Sequence, residues 1–187
     1  MEESALVLQL VYHIQEARLG RRRLAAMIGS TEMRVRAELD RMRDRGLIEL
    51  DRNGASLTRL GCQQFASLLG FTRAVTPLDL TTLRIDTVAL AAHLAPVDAG
   101  PVWSLRDAAV RIGATGLLLL RFHAERWCFA HNAEPIALRN PEDAALLAST
   151  FPNPRAADIL LIVSGPDLAT AGIGLWHTIP VLLTFHS

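Results

Sequence analysis

The sequence predicts an α+β fold, and two features of the chain support this prediction. In the first half, the stretch Gly29–Leu60 reads as a helix, a short β-hairpin and the start of another helix. In the second half, apolar strand-like segments alternate with helical segments in the order βαββαβα. This alternation is typical of a layered α/β structure. We therefore expect two domains, residues 1–72 and residues 78–187.

The helix in the first stretch has a recognisable start, face and end. Ser30 is the expected N-cap, because its hydroxyl can accept from a backbone N–H that the first turn leaves unpaired. Val35, Leu39 and Met42 then recur at the spacing of one helical face. Gly46 ends the helix, since glycine readily takes the left-handed conformation needed just after a helix.

The hairpin follows directly. Leu47–Leu50 and Ala55–Thr58 flank Asp-Arg-Asn-Gly at positions 51–54. Asn-Gly is a strong hairpin signal, because a type I′ turn needs positive φ at both central residues. Thr58 can then cap the next helix. Helix, two-stranded wing and helix in this order predict a winged helix-turn-helix domain, in which the recognition helix enters the DNA major groove.

The remainder of the first domain is predicted to be helical. A first helix covers about residues 4–16, and a short second helix, Leu24–Ile28, braces the recognition helix. A further helix, Thr58–Leu69, is expected to end at Gly70 and either to pack on this domain or to pair with a second copy. Phe71–Pro77 is the expected boundary between the domains, because proline blocks helix continuation.

The second domain contains residues typical of helix starts. Ser104 and Asp107 have the spacing of a capping box, and Pro141 is suited to a first helical turn. The predicted elements are, in chain order, a strand at Leu83–Leu94, a helix from Ser104 to Gly113, strands at Leu117–His123 and Arg126–Ala130, a helix at Glu142–Ser149, a strand at Asp158–Val163, and a last helix from Gly165-Pro166-Asp167 to Pro180.

Charge and composition narrow the function classes. The net charge is zero, and all 19 basic residues are arginine. Residues 1–70 hold 11 arginines against 9 acids, whereas residues 71–187 hold 8 against 10, so a weak positive excess lies in the first half. The sequence shows no signal peptide and no apolar run long enough to span a membrane. We therefore expect a cytoplasmic protein without membrane contact.

One segment of the second half carries a resemblance. The string RDAAVRIGATG, Arg106–Gly116, resembles the motif of a small archaeal family that joins an N-terminal winged helix to a C-terminal domain of unknown function, family 4443. The resemblance covers the whole chain, including the Ser-Gly-Pro-Asp turn at 164–167. It implies a transcriptional regulator and implies no established catalytic activity.

The predicted DNA-binding residues lie in three places. N-terminal residues of a recognition helix reach base edges, and arginine is the commonest reader of guanine. Asp40 and Asp44 argue against this use, because carboxylates repel phosphates, unless they form i, i+4 pairs with arginines. The predicted set comprises the start of the second helix, the recognition helix and the wing tip: Arg21, Arg22, Arg23, Met33, Arg34, Arg36, Arg41 and Arg52.

A ligand site is also predicted in the second domain. Two arginines could hold an anion there, but we favour the simpler explanation, because helix capping and a tight turn alone account for the same residues. Of the soft ligands, His123, Cys128 and His131 fit no zinc spacing, so we predict no metal and no cofactor. The predicted ligand-binding residues are Arg106, Asp107, Arg111, Thr115 and Gly116.

The sequence leaves three functions open. The first is a homodimeric regulator that binds double-stranded DNA, with the second domain sensing a small-molecule effector or forming the dimer. The second is a protein-interaction module that uses its winged helix without DNA, because the fold alone does not prove DNA binding. The third is an enzyme acting on a small anionic metabolite held by Arg106 and Arg111.

Overall fold

Eight α-helices and seven strands form the part of the chain, residues 3–184, that the computed structural model describes. The chain divides into two units, Met1–Gly70 and Phe71–Ser187. The predicted α+β class is confirmed. The first two and last three residues of the predicted domains lie outside the described residues.

Three helices begin the first unit. Their bounds are α1 Ala5–Ile14, α2 Arg21–Ile28 and α3 Glu32–Asp44. Ser4 caps α1, since its hydroxyl accepts from the backbone N–H three residues further on at 3.3 Å. Helix α2 starts at Arg21, three residues before the predicted start at Leu24. The three consecutive arginines 21–23 belong to its first turn.

The wing consists of β1 Ile48–Asp51 and β2 Gly54–Leu57, which pair antiparallel. The hairpin prediction is correct, but the turn type is not. The two loop residues are Arg52 and Asn53, and neither has positive φ, whereas Gly54 has φ 125°. Glycine is required there also because an added Cβ would lie 2.4 Å from the backbone carbonyl carbon of Leu19.

The core of the first unit joins all three helices to the wing. Burial of apolar surface is the dominant stabilising term in such a unit. The buried apolar side chains come from one face of each helix and from the base of the wing: Val7, Leu10, Val11, Ile14, Leu24, Ile28, Val35, Leu39, Met42, Leu47 and Ile48.

Two short helices end this part of the chain where the sequence predicts one. They are α4 Arg59–Gln64 and α5 Ala66–Phe71, separated at Phe65. Thr58 caps α4 as expected, because its hydroxyl accepts from the backbone N–H three residues on at 3.1 Å. Gly70 does not end the helix, which continues to Phe71.

The second unit contains one antiparallel five-stranded sheet. Its strand order is β3-β4-β7-β5-β6. The expected boundary, Phe71–Pro77, is not a connecting segment, because Thr72–Leu78 forms the edge strand β3. The division between the two units lies directly before Phe71. Proline is tolerated on an edge strand, which pairs on one side only. The strands are β3 Thr72–Leu78, β4 Val88–Leu94, β5 Gly116–His123, β6 Arg126–Phe129 and β7 Ile159–Gly165.

Helices cover both faces of this sheet. Helices α6 Val102–Arg111 and α8 Leu168–Thr184 pack on one face. The other face is covered by a 3-10 turn, Ile136–Leu138, and by α7 Pro141–Thr150. Of the described residues, 3–184, none belongs to a helix with both the length and the apolarity needed to cross a membrane.

Two helix-end predictions in this unit are wrong. Ser104 is not an N-cap, because α6 starts at Val102 after Pro101 and the Ser104 N–H already bonds to the Pro101 carbonyl at 3.0 Å. Pro180 does not end α8, which continues to Thr184. Burial of α8 residues on both sides of this proline favours a continuous helix despite the local cost of proline.

Candidate nucleic-acid interface

The candidate recognition helix α3 starts with Thr31 as its N-cap. The Thr31 hydroxyl accepts from the Arg34 backbone N–H at 3.3 Å. The prediction that Ser30 is the cap is wrong, because Ser30 still belongs to the end of α2. Its backbone N–H donates to the Ala25 carbonyl at 2.9 Å, and Gly29 takes the left-handed conformation at φ 73°.

The outward face of α3 carries the side chains that the sequence assigned to it. Met33 is 78% exposed, and Arg34, Ala37 and Arg41 are exposed as well. The opposite face is buried in the core. Within residues 3–184, no carboxylate forms an ion pair with Arg34. Among the residues that the structure describes, nothing therefore neutralises the Arg34 guanidinium in the first turn of the helix.

Asp40 and Asp44, the two acids of α3 that argued against DNA binding, are paired with arginines of the same helix. Arg36 lies 3.8 Å from Asp40, as the i, i+4 spacing predicts, and Arg43 lies 3.2 Å from the same carboxylate. Arg43 also contacts Asp44 at 3.1 Å. The negative charge that argued against DNA binding on this face is therefore balanced locally.

Two further arginines of this region have acidic partners. Arg41 contacts Glu38 at 3.0 Å, one turn earlier on α3. Arg45, just after the helix, hydrogen-bonds Glu3 and thereby lowers the pKa of the Glu3 carboxyl, although burial opposes this shift. The same bond raises the pKa of Arg45. Arg45 therefore joins the start of α1 to the end of α3.

The three arginines of α2 differ in their surroundings. Arg21 and Arg22 share one partner, Glu32, at 3.7 Å and 3.1 Å. Glu32 is the first residue of α3, so these pairs connect α2 to the recognition helix. Arg23 is exposed and has no ion pair within the described chain.

The wing tip presents Arg52 to solvent. The Asp51 carboxylate accepts from the backbone N–H of Asn53 at 2.7 Å and so braces the turn. Its other oxygen accepts from Arg18, which also lies 3.5 Å from Glu49. Arg18 therefore compensates the acids of β1, while Arg52 has no carboxylate partner among residues 3–184.

A cleft separates α3 from the wing. Its volume is about 410 Å³, and Arg21, Arg36 and Arg52 line it together with Asp40 and Asp51. These arginines come from α2, α3 and the wing tip, so the fold brings together residues from each of the three places that the sequence assigned to DNA. Three arginines against two aspartates leave this lining with an excess of one positive charge, which favours an anion over a cation.

Sequence reasoning missed three residues that shape this surface: Arg18, Glu32 and Arg43. The i, i+3 spacing of Asp40 and Arg43 was a usable signal, because such residues are neighbours on a helix. No local signal existed for Arg18 or Glu32, whose partners lie on other elements.

Four of the five predicted ligand residues, all but Arg111, have described structural contacts of their own. Arg106 and Asp107 bond to each other at 3.2 Å, and Arg111 lies ~140° further around the helix from Arg106. The Thr115 backbone N–H donates to the Ser164 carbonyl at 2.9 Å. The Ile85 side chain covers Gly116, where an added Cβ would lie 2.8 Å from it. A ligand site at these residues stays a prediction.

A cavity of about 270 Å³ lies elsewhere in the second unit. None of the five predicted ligand residues lines it. Phe122 and Trp127 of the sheet, Phe151 after α7, and Arg126 and Glu125 of the β5–β6 hairpin are among its lining residues. Aromatic walls with a few charged groups are common in sites for small molecules.

A buried carboxylate near one end of the sheet was also missed. Asp158 is fully buried, and one oxygen accepts from Arg73 and from the Arg155 backbone N–H at 2.7 Å, with His93 Nε2 at 2.8 Å. His93 in turn contacts the Trp127 ring edge-to-face at 5.9 Å. This network ties β3, β4 and β7 together, and residues so far apart in sequence give no motif.

Asp143 anchors the segment between β3 and β4 to α7. Its carboxylate accepts from the backbone N–H groups of Thr81 and Leu83, each at 2.7 Å, and from the hydroxyls of Thr81 and Thr82. Burial alone would raise the pKa of Asp143, but these hydrogen bonds together lower it.

Comparison with known proteins agrees with this description. Residues 1–71 match the family model described as the CggR N-terminal DNA binding domain. The match confirms the prediction of a DNA-binding transcriptional regulator, with the DNA-binding domain at the start of the chain. No curated protein matches the sequence.

Two solved structures were compared with the whole chain. Hypothetical protein PH0730 from Pyrococcus horikoshii OT3 is 18% identical and has a TM-score of 0.77, with 98% of this chain and 94% of that chain covered. This likeness shows a shared fold. Pseudomonas aeruginosa HmgR is 14% identical with a TM-score of 0.27, over 97% of each chain.

Proposed function

We propose that the chain acts as a cytoplasmic homodimer that reads double-stranded DNA through α3. The second unit senses a small-molecule effector, makes the dimer, or does both. On the motif at 106–116 we further propose membership of the archaeal family 4443. The observation that carries the proposal is Arg34, which is exposed in the first turn of α3 and has no ion pair with any residue from 3 to 184. The same helix borders a cleft lined by three arginines and two aspartates.

Arg34 has the position and the freedom needed for base readout. The N-terminal residues of a recognition helix contact base edges. An arginine without a carboxylate partner can offer its planar fork to guanine O6 and N7. Met33, exposed beside it, can contact a thymine methyl group. We assign Arg36 and Arg41 to the same groove, where they would exchange their carboxylate partners for DNA.

The remaining arginines are suited to phosphates. Arg23 and Arg52 have no ion pair within the described chain, and Arg21 and Arg22 share a single acid. Phosphate contacts fix the register of a protein on the duplex without carrying sequence information. A two-fold dimer would place two copies of α3 about 34 Å apart, in successive major grooves.

The aromatic-lined cavity of the second unit supports an effector role for that unit. A molecule bound there could change the spacing of the two recognition helices and so the affinity for paired half-sites. Regulation of this kind requires that the effector bind one arrangement of the dimer more tightly than the other.

The experiment measures DNA affinity of the full chain by fluorescence anisotropy. Fragments are first selected from genomic DNA by pull-down with wild-type protein. Arg34→Ala is expected to weaken binding by about 1–3 kcal/mol, and Arg36→Ala by a similar or smaller amount. Arg139→Ala, an exposed and ion-paired arginine of the second unit, is the matched control and should bind as wild type does.

Retention of full affinity by both α3 variants on every selected fragment contradicts the proposal. Failure of wild-type protein to select any fragment favours the alternative, a winged helix used for protein interaction.

A further inference from the structure

Helix α6 carries an exposed apolar pair on its outward face. Trp103 is 65% exposed and Val110 is 46% exposed, although both are large apolar residues. Arg106 and Asp107 lie between them, with side chains 58% and 50% exposed. A tryptophan side chain left in solvent does not contribute the stabilisation that its burial would give.

These four residues form one stripe. Successive residues of a helix turn by ~100°, so Val110 lies within ~20° of Trp103, and Arg106 and Asp107 fall on either side of them. The buried residues of α6, Leu105 and Ala109, face the opposite direction. The stripe is therefore the outer surface of a helix whose inner surface is already packed.

The order of residues in the stripe is symmetric. Trp103 precedes Arg106 by three residues, and Val110 follows Asp107 by three residues. A two-fold axis through the midpoint of Arg106 and Asp107 would run two copies of α6 antiparallel. Trp103 of each copy would then meet Val110 of the other, and Arg106 would meet the opposite Asp107.

We propose that this stripe is the surface through which two copies of the chain associate. The proposal rests on the homodimer put forward under the proposed function, and it assigns that dimer to α6. The stripe is complementary to itself in both charge and apolar contacts, which is the property that an isologous two-fold interface requires. In one copy, and within the described range 3–184, the Arg106 and Asp107 side chains bond only to each other.

The contact is small. Helix α6 has ten residues and is ~15 Å long, so two such helices bury less than the ~1,200 Å² of a standard interface. We expect a dissociation constant on the order of 10 μM in the absence of DNA, with Trp103 as the dominant contact. Two DNA half-sites would strengthen the pair by raising the effective concentration.

The test is sedimentation equilibrium of the full chain without DNA, using a charge exchange. Arg106→Asp sets carboxylate against carboxylate across the axis, and Asp107→Arg sets arginine against arginine. Each variant alone is expected to associate at least tenfold more weakly than wild type. An equimolar mixture of the two is expected to dimerise as wild type does, because opposite charges then meet at both contacts. Arg139→Asp, on another exposed site of the same unit, is the control.

A second variant tests the apolar part. Trp103→Ala is expected to weaken association at least 30-fold, as a hot-spot aromatic does. Its affinity for DNA carrying a single half-site should equal that of wild type, whereas affinity for paired half-sites should fall. Circular dichroism and thermal melting confirm that each variant is folded.

Three results would overturn the assignment. The first is a wild-type protein that stays monomeric at 200 μM, about 20 times the expected dissociation constant. The second is a dimer whose association is unchanged by Trp103→Ala. The third is a mixture of the two single charge variants that does not recover wild-type association. Failure of DNA binding is read separately, because the sedimentation measurement contains no DNA.

Discussion

Glu32 is the carboxylate that pairs with two arginines of the candidate DNA surface. We expect its replacement to change DNA affinity and stability in opposite directions. It is the first residue of α3, its side chain is 45% exposed, and it contacts both Arg21 and Arg22. Glu32→Gln removes the charge and keeps the shape. We expect tighter binding to DNA together with a lower free energy of unfolding.

The size of both effects follows from the position of the carboxylate. A phosphate held by Arg21 or Arg22 would lie ~8 Å from it, where unit charges repel by about 0.5 kcal/mol in water and about 1 kcal/mol at an effective dielectric constant near 40. Relief of this repulsion tightens binding about two- to fivefold per half-site. Loss of two exposed ion pairs and of a favourable charge at a helix N-terminus lowers the free energy of unfolding by about 1 kcal/mol.

The assay measures the dissociation constant over a series of salt concentrations. The affinity of Glu32→Gln should fall more steeply with salt than that of wild type, by about 0.9 in the log–log slope for each additional phosphate contact. Glu142→Gln, an exposed acid in the first turn of α7, is the matched control, since it loses a similar helix-end charge away from α3. Unchanged or weaker DNA binding by folded Glu32→Gln would refute the reasoning.

Three predictions concern stability and are measured by urea unfolding. Thr31→Ala should lower the free energy of unfolding by about 1 kcal/mol, while Ser30→Ala should change it little, because only Thr31 caps α3; equal losses would contradict this. Gly61→Ala should cost several kcal/mol, because its Cβ would lie 2.1 Å from a backbone oxygen, whereas Gly20→Ala meets nothing within 4 Å and is the control. Asp143→Asn should cost about 1–3 kcal/mol at pH 7. The pKa of Asp143 is lowered in the folded state, so the carboxylate stabilises the fold above about pH 4. This stabilisation declines as the pH falls through the folded-state pKa. The difference in unfolding free energy between Asp143→Asn and wild type should therefore be smaller at about pH 3 than at pH 7. A gap that widens on acidification would contradict this.

The features that sequence reasoning predicted correctly are those fixed by neighbouring residues. The α3 stripe of Val35, Leu39 and Met42, the wing and the Thr58 cap each depend on spacing within a few positions. The outward direction of Arg34 follows from the same stripe. Local geometry of this kind is determined by backbone sterics and helix periodicity, which do not require knowledge of the rest of the fold.

The features that were missed depend on partners distant in sequence. Residues 72–78 become strand β3 because β4 is available to pair with them, and Pro180 remains helical because α8 is buried around it. Likewise Glu32 pairs with Arg21 and Arg22 only because α2 packs against α3. Tertiary context can override local propensity, and the charges of the candidate site are set in the same way.

The ion pairs on the candidate surface determine the order in which its arginines can engage DNA. An exposed arginine–carboxylate pair contributes about 0–1 kcal/mol, whereas a bidentate bond to guanine discriminates by about 1–3 kcal/mol. Arg36 and Arg41 can therefore leave their carboxylates for DNA, but part of the gain is lost in doing so. Arg34 has no carboxylate to leave among residues 3–184, so the full energy of its contact is available for binding. For this reason we expect Arg34→Ala to weaken DNA binding more than Arg41→Ala, and equal effects in the anisotropy assay would show that the ion pairs are absent in solution.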